Sequence, residues 1–457
     1  MLRFQFLVSL AILLAFSPMI CLGDSVPDAG RLVKIVETLA SPEYEGRLVG
    51  SQANREARAW IREEAESAGL RPLEDWKDPL QLFQVRGYRW EKLEAKLFPP
   101  LGEAHTVVLV SKGPAASLPG ATLAWDASGP APLCENREIL FRQFNPMLGE
   151  STSDLLDEAA SVGAGALLLL PHPDDSRNSF SRYRARSASG DKSVYFLPGA
   201  SSRPLLLYGD EKLGVALDTT LKPGKWRFEL PSAEPFTLEA GNLLFRLPNS
   251  SSGQHVLLIA HYDHLGLAEE GYYPGANDNG SGVAVLLETA RMIKRRSYPF
   301  ELHFLFTDGE EEGYLGAKAY LENMDAPALT INLDTVGRSG VDHYRKLGDP
   351  EAFSPDLLML WSSEENAATK SMQTLAASLQ FDIRRGEGPI FERAGDHFPF
   401  AQAGLPSLFL FGGFHPDYHQ PGDTPDHVLP NKLANICSLL VDFLDEAAKE
   451  DLIETSH

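Results

Sequence analysis

Cysteine is nearly absent from this chain, with three in 457 residues. Cys134 and Cys437 lie far apart, so a disulfide between them and two unpaired buried thiols are both open readings. Either way, the fold does not lean on cysteine chemistry. Basic residues are in deficit, 41 against 63 acidic, for a net charge of −22. That balance argues against a nucleic-acid partner. Beyond residue 23 no apolar run reaches the length of a transmembrane helix, so no stable membrane span is expected. The G-x-S-x-G elbow of serine hydrolases is missing, and so is the single-metal H-E-x-x-H pattern. There is no internal repeat and no long low-complexity tract.

What is present begins with a distinct N-terminus. Arg3 precedes an apolar segment, Phe4–Phe16, and Cys21-Leu22-Gly23 ends in a small residue before Asp24. This is the layout of a secretory signal over residues 1–23, and it predicts export to the periplasm or the outside. A retained anchor is the competing reading, and bulky Ile20 argues against lipid attachment at Cys21. At 43% hydrophobic, the remainder is long enough for one large core or two smaller ones.

Helical spacing of apolar residues marks Leu32–Ala40 and Ala53–Gly69, separated by the loop sequence SPEYEGRLVGSQ. From about residue 86 to 245 the texture changes to short strands at Thr106–Val110, 121–129 and 166–170, with a helix at Leu155–Val162. The polar stretch His172–Lys192 reads as a surface loop. From Asn242 onward, apolar strands at His255–Ala260, Phe300–Phe306, Ala328–Leu333 and Leu405–Phe411 alternate with helical segments. Those segments are Gly282–Arg295, Gly316–Met324, Glu365–Gln380 and Asn431–Ala448. Such alternation predicts an α/β fold, a mostly parallel (mixed) sheet with helices on both faces. Ligands of these sheets bind beyond the carboxyl ends of the strands.

Those ends carry chemistry. His261 and Asp263 follow the first strand, Asp308 and Glu310-Glu311-Glu312 the second, Asp334 the third, and His415, His419, Asp423 and His427 the last. Asp278 sits in GANDNGSG before a helix, where a carboxylate alone would read as a cap. A lone His or Asp at a strand end is usually a hydrogen-bonded structural group. Four strand ends converging on His, Asp and Glu are harder to explain so, because clustered carboxylates repel and a bound cation relieves this.

In these residues the chain resembles the co-catalytic dizinc aminopeptidases of peptidase family M28. Five motifs carry the resemblance in order: AHYDHLG, GANDNGSG, EEEGYLGA, NLDTVGR and YHQPGDT. It covers about 24–85 and 246–457, and implies a zinc-exopeptidase fold acting on peptide substrates. It implies that His261 and Asp334 bind one zinc, that Glu311 and His419 bind the other, and that Asp278 bridges both. Ions about 3.5–4 Å apart would hold a bridging hydroxide and polarise the scissile carbonyl. Glu310 would be the general base, with the register set by Gly313 in the family's Glu-Glu-x-Gly pattern. Asp263 fits a supporting role that holds the tautomer of His261. Tyr418 is either a donor to the developing oxyanion or a packed core tyrosine. Asp423 either orients His419 or caps a turn. The Gly395-Asp396-His397 stretch resembles a family loop near the substrate pocket, and Arg338 is expected to hold the loop after Asp334.

His264, His303, His343 and His427 are read as structural or surface groups, and His415 competes with His419 by proximity only. Residues 86–245 fall where many family members carry a protease-associated (PA) domain, and Glu158–Leu170 resembles that domain's helix–Gly–strand unit. A purely structural insertion is the alternative. The resemblance thus implies an exported dizinc aminopeptidase. A carboxypeptidase or glutaminyl cyclase on the same fold, or a receptor-like relative without catalysis, are the other readings. Imidazole with carboxylates admits zinc, cobalt or manganese. Residue preference and oligomeric state are not legible.

Overall fold

A computed structural model of the chain describes residues 26–90, 233–249, 253–268, 270–341, 353–386, 389–450 and 452–453. Between 90 and 233 it describes 94–98, 105–109, 122–125, 139–144, 152–161, 166–171, 193–197, 205–208 and 224–229. The expected signal at 1–23 with Cys21, the loop at His172–Lys192, and Cys134 and His343 lie outside the described residues. Cys437 is buried, and its thiol donates to the Val285 carbonyl at 3.8 Å.

One large mixed sheet dominates. Its strands are β1 (Leu80–Trp90), β2 (Ser193–Phe196), β3 (Ala233–Arg246), β4 (His255–His261) and β5 (Glu301–Thr307), followed by β6 (Leu329–Asp334), β7 (Leu357–Ser362), β8 (Asp382–Arg385) and β9 (Ser407–Phe411). Their spatial order is β8-β7-β9-β6-β4-β5-β3-β1-β2, with Arg71–Pro72 paired on β3. The centre, β9-β6-β4-β5, is parallel, while β3 and β7 run antiparallel to their central neighbours. The four parallel strands therefore end on one side, at His261, Thr307, Asp334 and Phe411.

The central strands are buried and mostly apolar because both faces are covered, with His303 in β5 and Thr330 and Asn332 in β6 as buried polar residues. The two-residue period sends Val256, Leu258 and Ala260 to one face and Leu257 and Ile259 to the other. The first face packs on helices α1 (Ala29–Leu39), α2 (Gln52–Ser67) and α3 (Ser281–Ile293). The second face packs on α4 (Leu315–Asn323) through Ala317 and Tyr320, while α5 (Ala367–Ser378) and α6 (Pro430–Glu450) join the first.

The expected boundaries at 86 and 245 fall inside strands. β1 and β3 pair in an unbroken antiparallel register from Leu80↔Leu243 to Trp90↔Ala233, carrying the chain out of the sheet and back. Between them, a second sheet of seven short strands spans Glu94–Phe98 to Gly224–Glu229, together with the helix Thr152–Ser161. Among the described residues, no helix is long and apolar enough to cross a membrane.

Leu258 is fully buried at the middle of β4, opposite Phe304 and Ile331. Replacing Leu258 with Ala is expected to cost about 2–5 kcal/mol of stability. Denaturant unfolding of metal-free protein measures this, and a loss below about 1 kcal/mol would contradict the packing described.

Candidate metal centre

His261, the last residue of β4, has its ring buried among carboxylates. Its Nε2 lies 3.3 Å from Asp278 Oδ1 and 3.6 Å from Asp334 Oδ2. The other oxygen of Asp278 lies 3.0 Å from His419 Nε2, and His419 Nε2 is 3.2 Å from Glu311 Oε2. The structure thus brings all five expected ligands together, with Asp278 between two imidazoles. Glu310 is buried beside them.

Local sequence explains how each group is aimed. Asp278 does not cap α3: Asn279 Oδ1 accepts the Gly282 N–H at 3.0 Å, and Asp278 has non-helical dihedrals (φ −109°, ψ 91°). The capping work is done next door, which leaves the Asp278 carboxylate for the site. Asn279 Nδ2 donates to Leu333 O at 2.8 Å, and Asn277 Oδ1 accepts from Gly337 N at 2.7 Å, so both asparagines tie the Asp278 loop to the end of β6. Gly275 permits the turn, having φ +56° and standing where a Cβ would fall 2.3 Å from Asp278 O.

Asp423 neither orients His419 nor caps only its own turn. Its Oδ2 accepts the N–H groups of Asn277 and Asp278, both at 3.0 Å, and its Oδ1 accepts from Arg338 Nη1 at 3.4 Å. Arg338 also donates to Asp417 Oδ2 at 2.7 Å, holding the loop after Asp334. Asp263 differs from expectation in the same way. Its carboxylate accepts the N–H of Glu310 at 3.1 Å and of Glu311 at 3.3 Å. The Nδ1 of His261 lies 3.2 Å from the Asp263 backbone carbonyl and 3.7 Å from its carboxylate. Tautomer control therefore passes through the main chain, because the carboxylate is committed to the Glu310-Glu311 turn. Gly313, at φ +100°, closes that turn as only glycine readily can.

Tyr418 is half-buried, stacks on the His419 ring at 4.0 Å and meets Phe414 edge-on at 5.1 Å. His415 is buried with Nε2 3.9 Å from Asp423 Oδ1, and His427 is largely exposed near Asp417. His303 stacks on His255 at 4.4 Å, away from the strand ends. His397 is fully buried, stacked on Phe409 at 4.1 Å, so it faces packing rather than a substrate. Its neighbour Asp396 is buried too and accepts from Thr307 Oγ1.

Two groups escaped the sequence reading. His264, taken as structural or surface, has Nδ1 2.6 Å from Glu311 Oε1 and is buried inside the cluster. Arg47 is fully buried and donates to Tyr262 O at 2.7 Å, Pro274 O at 2.8 Å and Gly275 O at 2.9 Å, and to Leu39 O. The visible signals were a second histidine three residues after His261 and a charge in a glycine-flanked loop.

Electrostatics favour a cation here. Burial, then Glu311, Asp396 and Asp334, hold Glu310 well above the usual carboxylate range despite His261. Burial pushes Asp334 up to about 6 against the pull of His261. Burial lowers Arg47 to about 10, a shift that Asp263 and Asp278 oppose, so it stays charged near neutral pH. Among the described residues, the buried atoms His261 Nε2, Asp278 Oδ2 and Asp334 Oδ1 make no hydrogen bond. Two overlapping groups, His261–Asp278–Asp334 and His264–Asp278–Glu311, each bring ligand atoms within 4.8 Å of one another. Orphaned imidazole nitrogens and carboxylate oxygens aimed at one space fit a divalent ion such as zinc. Of the two histidines near Glu311, His419 offers one nitrogen to both carboxylates, whereas His264 is bonded to the oxygen of Glu311 on the far side.

Comparison with known proteins agrees with this geometry. Residues 242–444 match the profile described as peptidase family M28. Aminopeptidase YwaD of Bacillus subtilis (strain 168) is 31% identical over 208 residues, 43% of this chain and 42% of that protein. The match thus spans less than half of that curated relative. The solved aminopeptidase from Aneurinibacillus sp. strain AM-1 superposes with a TM-score of 0.64 at 20% identity, covering 94% of this chain and 97% of that one. A structure described as BSAP, a zinc aminopeptidase from Bacillus subtilis, gives 0.54 at 20% identity over 93% and 97%. The last two likenesses are of fold.

Asp278→Asn keeps the shape and the backbone held by Asp423 while removing the shared charge. It is expected to lower bound divalent metal more than Asp334→Asn or Glu311→Gln, read by elemental analysis after dialysis. Full metal retention would sink the bridging geometry.

Proposed function

From the premise that residues 242–444 of this chain are a peptidase family M28 domain, we propose that the protein is an exported dizinc aminopeptidase, releasing N-terminal residues from peptides. One observation carries the reading. The two oxygens of Asp278 face different imidazoles, His261 at 3.3 Å and His419 at 3.0 Å, and each imidazole is shared with a further carboxylate. That is two three-ligand sites with one residue in common. Three protein ligands per ion would leave room for water or substrate.

His261, Asp278 and Asp334 would hold one zinc, and Asp278, Glu311 and His419 the other. Bound there, the ions would polarise a peptide carbonyl and acidify the attacking water. The remaining work falls to the chain. Glu310, raised by burial, is suited to take the proton of that water and pass it to the leaving amine. Asp263 steadies Glu310 through its amide. Tyr418, stacked on His419, is proposed to donate from its phenol to the carbonyl oxygen as negative charge develops. The choice of an amino over a carboxyl terminus rests on the likeness to aminopeptidase YwaD. Export rests on the layout of residues 1–23.

The test pairs metal analysis with hydrolysis of free and N-acetylated peptides. Two ions per chain and cleavage confined to free amino termini are expected. Robust cleavage of blocked peptides from the carboxyl end, or cyclisation of N-terminal glutamine without hydrolysis, would replace the reading with one of its relatives. Glu310→Gln is expected to lower kcat by about 10²–10⁴-fold with metal content unchanged. Loss of metal in that variant would mean that Glu310 is a ligand.

A further inference from the structure

One carboxylate of the centre is gripped from both sides. Glu311 Oε2 lies 3.2 Å from His419 Nε2, while Oε1 lies 2.6 Å from Nδ1 of His264. The two imidazoles meet edge to face, with ring centroids 5.7 Å apart. An ionised carboxylate can only accept, so this contact places a proton on Nδ1 of His264. The distance is that of a charge-assisted hydrogen bond and leaves no room for an ion between the two atoms.

The ring has little freedom. His264 is fully buried and its backbone N–H donates to Arg47 O at 3.2 Å. A Cβ added at Gly275 would fall 2.6 Å from its Cδ2, so the loop carrying Asp278 packs directly on it. A carboxylate at the end of a long side chain is a good ligand only when something fixes its rotation. Resting on the dizinc reading, we propose that His264 is a positioning residue that pins Glu311 by Oε1, so that Oε2 alone is offered to the ion shared with His419 and Asp278. His261 ends β4 and His264 follows three residues on, so this one strand end serves both halves of the centre, one by ligation and one through Glu311.

The test uses the full chain, stripped of metal and titrated with zinc by calorimetry and with cobalt by visible spectroscopy. His264→Ala is expected to weaken the second binding event by about 10–100-fold and leave the first unchanged. His264→Asn, whose amide nitrogen can occupy the place of Nδ1, is expected to recover most of the loss, with cobalt bands at saturation matching the parent. His264→Gln, whose nitrogen corresponds to Nε2, is expected to fail as alanine does. This Asn–Gln pair carries the test even if the alanine variant does not fold. Equal affinities in parent and His264→Ala, or asparagine no better than alanine or glutamine, would overturn the proposal. Shifted cobalt bands in His264→Asn would also overturn it, by making His264 a ligand. A parent that takes up fewer than two ions would instead overturn the dizinc reading, and this inference with it.

Discussion

Like charge crowded out of water is the constraint on which this structure turns. Asp263, Asp278, Asp308, Glu310, Asp334, Asp396 and Asp423 are all buried near one side of the sheet, with Glu311 among them. Unrelieved, such a cluster would expel its charges or take up protons. The fold relieves it in layers. Backbone amides come first: Asp263 receives two, Asp423 two, and Asp308 that of Gly241. Fixed cations come next, with Arg338 on Asp423 and Arg47 enclosed nearby. Among the atoms these leave without a hydrogen bond are Asp278 Oδ2, Asp334 Oδ1, Asp396 Oδ1 and the Nε2 atoms of His261 and His264. The residue of the balance is thus left at the place where a divalent ion fits.

Arg47 shows how far this arrangement reaches. It belongs to the loop between α1 and α2, well before the first site residue in sequence, yet it binds carbonyls at Tyr262, Pro274 and Gly275. Those residues flank His261, His264 and Asp278. A guanidinium has five donors in a rigid fork, and carbonyls from three chain segments can be spaced by it as no point charge would. Among the described residues its charge meets no carboxylate directly; it acts on the cluster through space and on the loops through hydrogen bonds. The segment before the insert therefore helps build the centre as well as cover the sheet.

Much of this was legible because the central strands are dominated by buried apolar residues. Runs such as VLLIA and FLF are apolar throughout, and ligand-type residues stand just beyond them. β1 and β3 were not legible for the opposite reason. In β1 the polar Gln81 points inward, bonded to Asn242, while Leu82 stands 48% exposed. A buried polar pair and an exposed leucine reverse the pattern by which a strand is recognised. The same applies to single residues. By local pattern alone Asp278 would read as a helix cap, yet Asn279 holds that hydrogen bond. His264 resembled a packed histidine because its partner, Glu311, is 47 residues away in sequence. Asp423 caps amides nearly 150 residues upstream, at Asn277 and Asp278. No local pattern carries such pairings.

The β1–β3 ribbon also explains how a long segment between 90 and 233 can be accommodated beside so exacting a site. Its two ends are hydrogen-bonded to each other in register over eleven residue pairs, from Leu80↔Leu243 to Trp90↔Ala233. The distance between the points of departure and return is therefore set by the sheet, not by what lies between them. Loop length then enters stability only weakly, since closure entropy grows with the logarithm of chain length. At the inner end of the ribbon, Gly241 N donates to Asp308 Oδ2 and Asn242 Oδ1 accepts from Asp308 N, so β3 touches the turn that leads into Glu310 and Glu311. A disturbance in the insert would reach the metal centre through that short path. Sequence change in the second sheet is buffered by the ribbon; change at Gly241 or Asn242, or in β2 where it pairs with β1, is not.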